Sequence, residues 1–232
     1  MKRLVIGDIH GCQEELLELL DRAGLSGGDE IISIGDIVDR GPDSPGVIEF
    51  VRTAPRVRVI MGNHEHKHLK IAEGRSEPSF SQAHARRQFT PEGYAAALAF
   101  FDGLPLYLDL PEAVLVHGCF EPGKPLSEQR PETLLGTMSG EAHLSRNFPA
   151  PWYELYEGEK PVIAGHHDYS KAGKPLVIND RAFLIDTGCC YGQALTGLIL
   201  PEFRFISVPA RRNYWAIAVQ KDRAPGAGSD EA

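Results

Sequence analysis

Three short polar clusters, each opened by a glycine, carry residue types that bind metal ions and phosphates. They are Gly7, Asp8, Ile9, His10, Gly11; then Gly35, Asp36 through to Asp39, Arg40, Gly41; then Gly62, Asn63, His64, Glu65. Two further histidine positions stand beside glycine, His117 before Gly118 and His166 after Gly165. Carboxylate, amide and imidazole together make an oxygen and nitrogen ligand set suited to divalent ions such as manganese, iron or zinc. Glycine belongs beside such groups, because a tight turn after a strand needs permissive dihedrals and close approach of backbone to a ligand. A thiolate site would draw instead on Cys12, Cys119, Cys189 and Cys190, which show no Cys-x-x-Cys spacing and read as small packing residues. The chemistry points to a metal rather than to covalent sulfur catalysis.

Each cluster follows an apolar run. Residues 4–6 read as a strand, and Leu16, Leu19, Leu20 and Ala23 then share one face of a helix. Residues 31–34 read as the next strand, 45–53 as a short helix and 57–60 as a third strand. This βαβαβ order implies a parallel sheet, with the clusters at the carboxyl ends of its strands, where open α/β sheets form ligand sites. His117 and His166 follow the runs 113–116 and 162–164 in the same way. Between the third strand and the run at 113–116 lies a polar, helical stretch over 65–88, then a helix with Thr90 as N-cap and Pro91 at its first position, stopped by Gly103 and Pro105. Runs at 183–185, 195–200, 203–208 and 214–219 read as strands, several in hairpin succession, so a second sheet stacked on the first is expected. We expect one domain over 1–222 and a disordered tail over 223–232, rich in glycine, alanine and acid.

With the order and spacing in view, GDIHG at Gly7, GDIVDRG at Gly35 and GNHE at Gly62 resemble the signature of calcineurin-like metallophosphoesterases. More narrowly they resemble the branch holding the protein Ser/Thr phosphatases, the phage lambda phosphatase, the bis(5'-nucleosyl)-tetraphosphatases and the bacterial polynucleotide phosphatases. VHG at Val116 and GHH at Gly165 resemble the last two histidine motifs, so the likeness runs from Gly7 to His167. It implies an α/β fold of two stacked mixed β-sheets flanked by helices, an αββα sandwich. It implies two divalent ions, manganese first and iron or zinc as alternatives, with Asp8 and His10 on one, Asp36 bridging, and Asn63, His117 and His166 on the other. It further implies direct attack of metal-bound hydroxide without a phosphoenzyme, with His64 as general acid, Asp39 orienting it, and Arg40 and Asn63 on the phosphoryl group. Arg146 is the candidate for a second phosphate arginine. The chain departs from the pattern at His167 and Asp168, where the family often has threonine or another small polar residue.

The expected substrate is nucleotide-like, a dinucleoside polyphosphate or a nucleic-acid phosphate, because residues 185–210 resemble the closing segment of the tetraphosphatases and polynucleotide phosphatases. A phage-type Ser/Thr phosphoprotein phosphatase is the alternative enzyme. A non-catalytic metal-binding scaffold is the alternative outside enzymes, against which the presence of His64, Asp39 and Arg40 argues. The formal net charge of −8 opposes nonspecific nucleic-acid binding, which relies on cationic side chains displacing counterions. No opening apolar run is long enough for a signal peptide or membrane span, so a cytoplasmic location is expected. Lys67, Lys70, Arg86 and Arg87 read as a solvated basic face before phosphate contacts. Tyr94, Phe100 and Phe101 read as core before base-stacking platforms. His66, His68, His84, His143 and His167 read as surface or supporting residues rather than ligands. Residues 66–115 are the segment expected to cap the site and influence specificity.

Overall fold

A computed structural model describes residues 1–223. Its strands are β1 (Arg3–Ile6), β2 (Glu30–Ser33), β3 (Val57–Val59), β4 (Tyr107–Asp109), β5 (Val114–Val116), β6 (Val162–Ala164), β7 (Leu176–Ile178), β8 (Ala182–Leu184), β9 (Ala194–Leu200) and β10 (Arg204–Pro209). Its helices are α1 (Gln13–Ala23), α2 (Ser44–Thr53), α3 (Asn63–Ala72), α4 (Phe80–Arg86), α5 (Pro91–Asp102), α6 (Pro131–Leu134), α7 (Met138–Asn147), α8 (Trp152–Leu155) and α9 (Tyr214–Arg223).

Successive side chains of a strand point to opposite faces, and in β1 both faces are apolar. Leu4 and Ile6 pack with Leu16 and Leu19 of α1, Val47 and Val51 of α2 and Phe101 of α5. Val5, between them, packs with Ile32 of β2, Leu115 of β5, Ile163 of β6 and Leu198 of β9. In β5 the same alternation sends Leu115 inward, while Val114 and Val116 meet Leu134 of α6, Leu144 of α7 and Trp152 of α8. The result is helices, sheet, sheet, helices. Each such side chain, fully buried, contributes about 1.5–3 kcal/mol relative to exposure, and strands covered on both faces read as continuous apolar runs.

The two sheets have the orders β10-β9-β1-β2-β3 and β4-β5-β6-β8-β7. β1, β2 and β3 are mutually parallel, as are β5, β6 and β8, while β9, β10, β4 and β7 run antiparallel to their neighbours. Two sets of parallel strands therefore discharge at one edge of the sandwich. Asp8, Asp36 and Asn63 follow the ends of β1, β2 and β3; His117, His166 and Asp186 follow β5, β6 and β8. The expected helix start is present, with the Thr90 hydroxyl accepting from Gly93 N at 3.0 Å.

Two expectations need correction. Residues 214–219 form the first turns of α9 rather than a strand. A six-residue apolar run does not separate strand from helix, and Asn213, whose side-chain oxygen accepts from Ala216 N at 2.9 Å, supplies the helix start. Arg223, expected in the tail, lies in that helix; the remainder of the expected tail lies outside the described residues. The strands β4 and β7, three residues each, lie at the edges of the second sheet and were not anticipated. Among the described residues no helix is long and apolar enough to cross a membrane.

Candidate active site

The loops that follow β2 and β3 are tied together by one buried acidic side chain. Glu65, in the first turn of α3, accepts from the backbone N–H groups of Asp36, Ile37 and Gly62, each at 2.9 Å. Asp36 in turn accepts at Oδ1 from His64 N, 3.0 Å. The approach leaves no room for a side chain at Gly62, where a Cβ would stand 2.3 Å from Asp36 Oδ1. His10, Asp36, Asp39, Arg40 and His166 all adopt positive φ, between 46° and 77°. Left-handed backbone at five non-glycine residues of one cluster is the kind of strain that concentrates at functional sites.

Two groups of ligand atoms share Asp36. On one side His10 Nε2 lies 3.5 Å from Asp36 Oδ2 and 4.0 Å from Asp8 Oδ2. On the other, His117 Nε2 lies 3.4 Å from Asp36 Oδ1, and the Asn63 amide lies 2.9 Å from His117 Nε2 and 3.1 Å from His166 Nδ1. The second nitrogen of each imidazole is engaged outside the cluster. His10 Nδ1 donates to Val38 O at 2.8 Å, His117 Nδ1 to Ile34 O at 2.9 Å and His166 Nε2 to Glu141 Oε1 at 3.1 Å. This fixes the tautomers and turns the remaining lone pairs toward Asp36, as ligating histidines require.

The fit to cations can be tested on the protein atoms alone. Asp8 Oδ2 is buried without a hydrogen-bond partner. Burial, Asp186 and Asp36 push the Asp8 carboxyl well above its ordinary range, so an ionised Asp8 needs a positive charge beside it. Burial also lowers His10 and His166 and takes His117 down to about 4, leaving three neutral imidazoles as electron-pair donors. Burial favours a neutral Asp36 as well, but His117, His64, His10 and Arg40 outweigh it and hold the carboxylate ionised. Carboxylates, an amide and neutral imidazoles converging in this way make a donor set that suits divalent ions in both groups.

His64 shares this neighbourhood with the opposite electrostatics. Its Nδ1 donates to Asp39 Oδ2 at 2.5 Å, while Nε2 faces Asp36 Oδ2 from 3.8 Å. Burial disfavours its protonation, but Asp36 and the Asp39 hydrogen bond prevail and raise its pKa. Asp39 also accepts from His68 Nε2 at 2.9 Å and Gln82 Nε2 at 2.5 Å, and His68 Nδ1 accepts from the Tyr94 hydroxyl at 2.9 Å. Despite burial, those histidine bonds hold Asp39 well below the usual carboxylate range. Arg40 donates through Nη1 to His10 Nε2 at 2.6 Å, and its guanidinium lies 5.5 Å from the Tyr191 ring centre.

Nine of the ten residues singled out in the sequence are brought together: Asp8, His10, Asp36, Asp39, Arg40, Asn63, His64, His117 and His166. Arg146 is not. It is exposed on α7, and five residues beyond Glu141 it points roughly 140° around the helix from the side chain that meets His166. A lone arginine on a helix carries no spacing signal that would tie it to the cluster. The sequence reading gave no role to Gln82, Glu141 or Asp186, and none to Glu65 as an anchor. Asp186 had a signal, since it follows a strand end as Asp8 does; Burial raises it to about 6. His68 had another, four residues after His64 and so on the same helical face. Phe100 and Phe101 pack with the first-sheet core, while Tyr94 stands edge-on to His68 and Phe89.

A dinuclear cluster of carboxylate, amide and imidazole at the strand ends of an αββα sandwich defines a metal-dependent phosphoesterase. The chain matches the calcineurin-like phosphoesterases over residues 1–192 and belongs to that family, which is dinuclear and metal-dependent. It is 31% identical over 234 residues to the bis(5'-nucleosyl)-tetraphosphatase PrpE (asymmetrical) of Halalkalibacterium halodurans, covering 90% of this chain and 94% of that one. It is 29% identical to the protein of the same name from Bacillus subtilis, covering 90% and 95%. Among solved structures, a candidate diadenosine tetraphosphatase superposes with a TM-score of 0.75 at 25% identity, covering 90% of this chain and 93% of that one. A Saccharomyces cerevisiae protein serine/threonine phosphatase shares the fold, with a TM-score of 0.58 at 14% identity, covering 91% and 80%.

Proposed function

We propose that this phosphoesterase hydrolyses dinucleoside polyphosphates asymmetrically, with manganese as its working metal. The observation that carries the reading is Asp36 shared between two ligand groups, with a raised-pKa histidine beside them. Asp8 and His10 would hold one ion, Asn63, His117 and His166 the other, with Asp36 on both. When bound, the ions supply charge for the phosphoryl oxygens and lower the pKa of water. His64, protonated, delivers the proton at Nε2 to the departing oxygen, and Asp39 holds the ring in the orientation and charge state that step needs. Arg40 must give up the His10 lone pair when an ion takes it, which frees a planar donor for phosphoryl oxygens.

The substrate class rests on the PrpE relatives and on charge. Asn63 and His64 line a cavity of about 480 Å³ together with Lys67 and Lys70, so cations flank the side from which a polyphosphate would enter or leave. This favours the phosphate-contact reading of those lysines over the solvated one. All four cysteines are free and buried, which supports a reducing compartment, the cytoplasm. The core shared by the two sheets supports one domain over residues 1–222.

The test uses metal-stripped protein, with and without added manganese, iron or zinc. Its substrates are diadenosine tetraphosphate, p-nitrophenyl phosphate, its bis ester, a phosphoserine peptide and a 5'-phosphorylated oligonucleotide. Metal-dependent release of ATP and AMP, with diadenosine tetraphosphate the best substrate, is expected. Preference for the peptide would replace the reading with a phosphoprotein phosphatase. Two bound metals without turnover of any substrate would favour a scaffold.

A further inference from the structure

A second cavity, of about 430 Å³, has walls from α7, α8 and the loop after β6. It begins beside the His166 end of the ligand cluster. Glu141 Oε1, which accepts from His166 Nε2, also accepts from His167 Nε2 at 2.5 Å, and both Glu141 and His167 line the cavity. From there aromatic rings follow one another along its wall. Ring centres are 4.0 Å apart between His166 and His167, 5.5 Å between His167 and Tyr169, 5.1 Å between Tyr169 and Tyr153, and 5.8 Å between Tyr153 and Trp152.

The lining excludes some ligands and suits another. Its carboxylate, Glu141, and the absence of lysine or arginine make it a poor place for phosphate, in contrast to the cavity lined by Lys67 and Lys70. Burial pushes the Cys119 thiol up to about 12, so that side chain stays a neutral wall. Tyr153 and Tyr169 keep part of their surface open, and the buried Trp152 indole N–H has only the Cys119 thiol and the Tyr169 hydroxyl beside it, without a close hydrogen bond to either. Flat apolar surface with a few unfilled polar positions matches a planar heteroaromatic ring, and a cavity of this size admits a nucleoside.

We propose that this cavity is the nucleoside subsite: it seats one base and its ribose while the attached phosphates lie over the metal cluster, with Tyr153 and Tyr169 as the stacking surfaces. The inference rests on the dinucleotide reading above and adds to it the residues that recognise the base. It also gives the departure at His167 a purpose, as the ring that joins the metal cluster to the base cavity.

The chain has two tryptophans, so a Trp215→Phe background leaves Trp152 as the only indole reporter. AMP should quench or shift Trp152 emission in that background, and inorganic tripolyphosphate should not. Tyr153→Ala, checked for folding by circular dichroism and thermal melting, should weaken AMP inhibition and raise the KM for diadenosine tetraphosphate roughly 5- to 150-fold, the range that base–aromatic stacking supplies. Inhibition by tripolyphosphate should change far less, and Tyr153→Phe should restore the nucleotide values. Equal losses for AMP and tripolyphosphate, or no response of Trp152 to AMP, would overturn the subsite. A Trp152 response to a phosphopeptide in place of AMP would overturn it in favour of peptide docking. If diadenosine tetraphosphate is not hydrolysed but AMP still reports through Trp152 and weakens with Tyr153→Ala, the dinucleotide reading falls and the subsite stands.

Discussion

His10 and His64 stand ring against ring, 4.8 Å between centres, both buried, yet their surroundings push their pKa values in opposite directions. The difference lies in the elements that carry them. His10 sits in a loop at a strand end, where its Nδ1 meets the neutral carbonyl of Val38 and the Arg40 guanidinium lies beside its other nitrogen. His64 sits in the first turn of α3, where its Nδ1 meets the ionised carboxylate of Asp39. Burial presses both toward the neutral form; at His64 the charge of Asp36 together with the Asp39 hydrogen bond reverses it. One residue type is thus suited to donating an electron pair at the strand ends and, under the proposed mechanism, a proton on the helix.

The strongest way to break this contrast is to remove the group common to both regions. Asp36→Ala should lose both metals by elemental analysis, and turnover should fall by more than about 10³-fold, beyond the loss of a single transition-state donor. His64→Gln comes next and should keep its metals. Its turnover of phenyl phosphate should drop by about 10²–10⁴-fold, the range for a general acid, and that of p-nitrophenyl phosphate, with its better leaving group, by less. Metal loss in His64→Gln equal to that in Asp36→Ala would place His64 among the ligands and end the distinction.

A finer version tests Asp39 and its second histidine. Asp39→Asn keeps the shape but removes the charge, so it should lower turnover about 10- to 100-fold, as loss of a partner behind a functional imidazole does. Turnover should then depend on the leaving group as steeply as in His64→Gln. His68→Gln, which can still donate to Asp39, should cost less than His68→Phe. If both His68 variants keep the wild-type dependence on leaving group, His68 only packs, and the relay ends at Asp39.

How much of this contrast shows in the sequence differs between the two regions. The strand-end residues announce themselves because glycine must surround them: Gly35 has φ 98°, and a Cβ there would stand 2.6 Å from Gly62 N. Apolar runs before those glycines gave the parallel strands for the same reason, since strands buried on both faces leave little polar alternation. The helix side is quieter. His68 and Tyr94 meet only because α3 and α5 pack together, a tertiary contact with no local pattern, and Gln82 reaches Asp39 from a third helix, α4. Arg146 stands apart from the cluster, and residues 214–219 are helix rather than strand, for a related reason: one cationic side chain, or six apolar residues, fits several structures until its neighbours are known.

The smallest effect is expected at a carboxylate whose partners are backbone rather than imidazole. Asp29, before β2, accepts from Lys2 N at 2.7 Å and from Ser26 N at 2.9 Å, and these bonds, with the Ser26 hydroxyl, lower its pKa to about 2. A depressed folded-state pKa stabilises the fold above the unfolded value near 3.8, and that contribution is lost as pH falls through about 2. Asp29→Asn should therefore melt slightly below wild type at pH 6, and the gap should narrow between about pH 4 and pH 2. The site is open to solvent, so added salt should shrink the gap as well. A gap constant across that window would mean that Asp29 acts through shape alone. Charge-dependent folding would then be confined to buried groups such as Asp36 and Asp39, where imidazoles and an arginine outweigh the cost of burial.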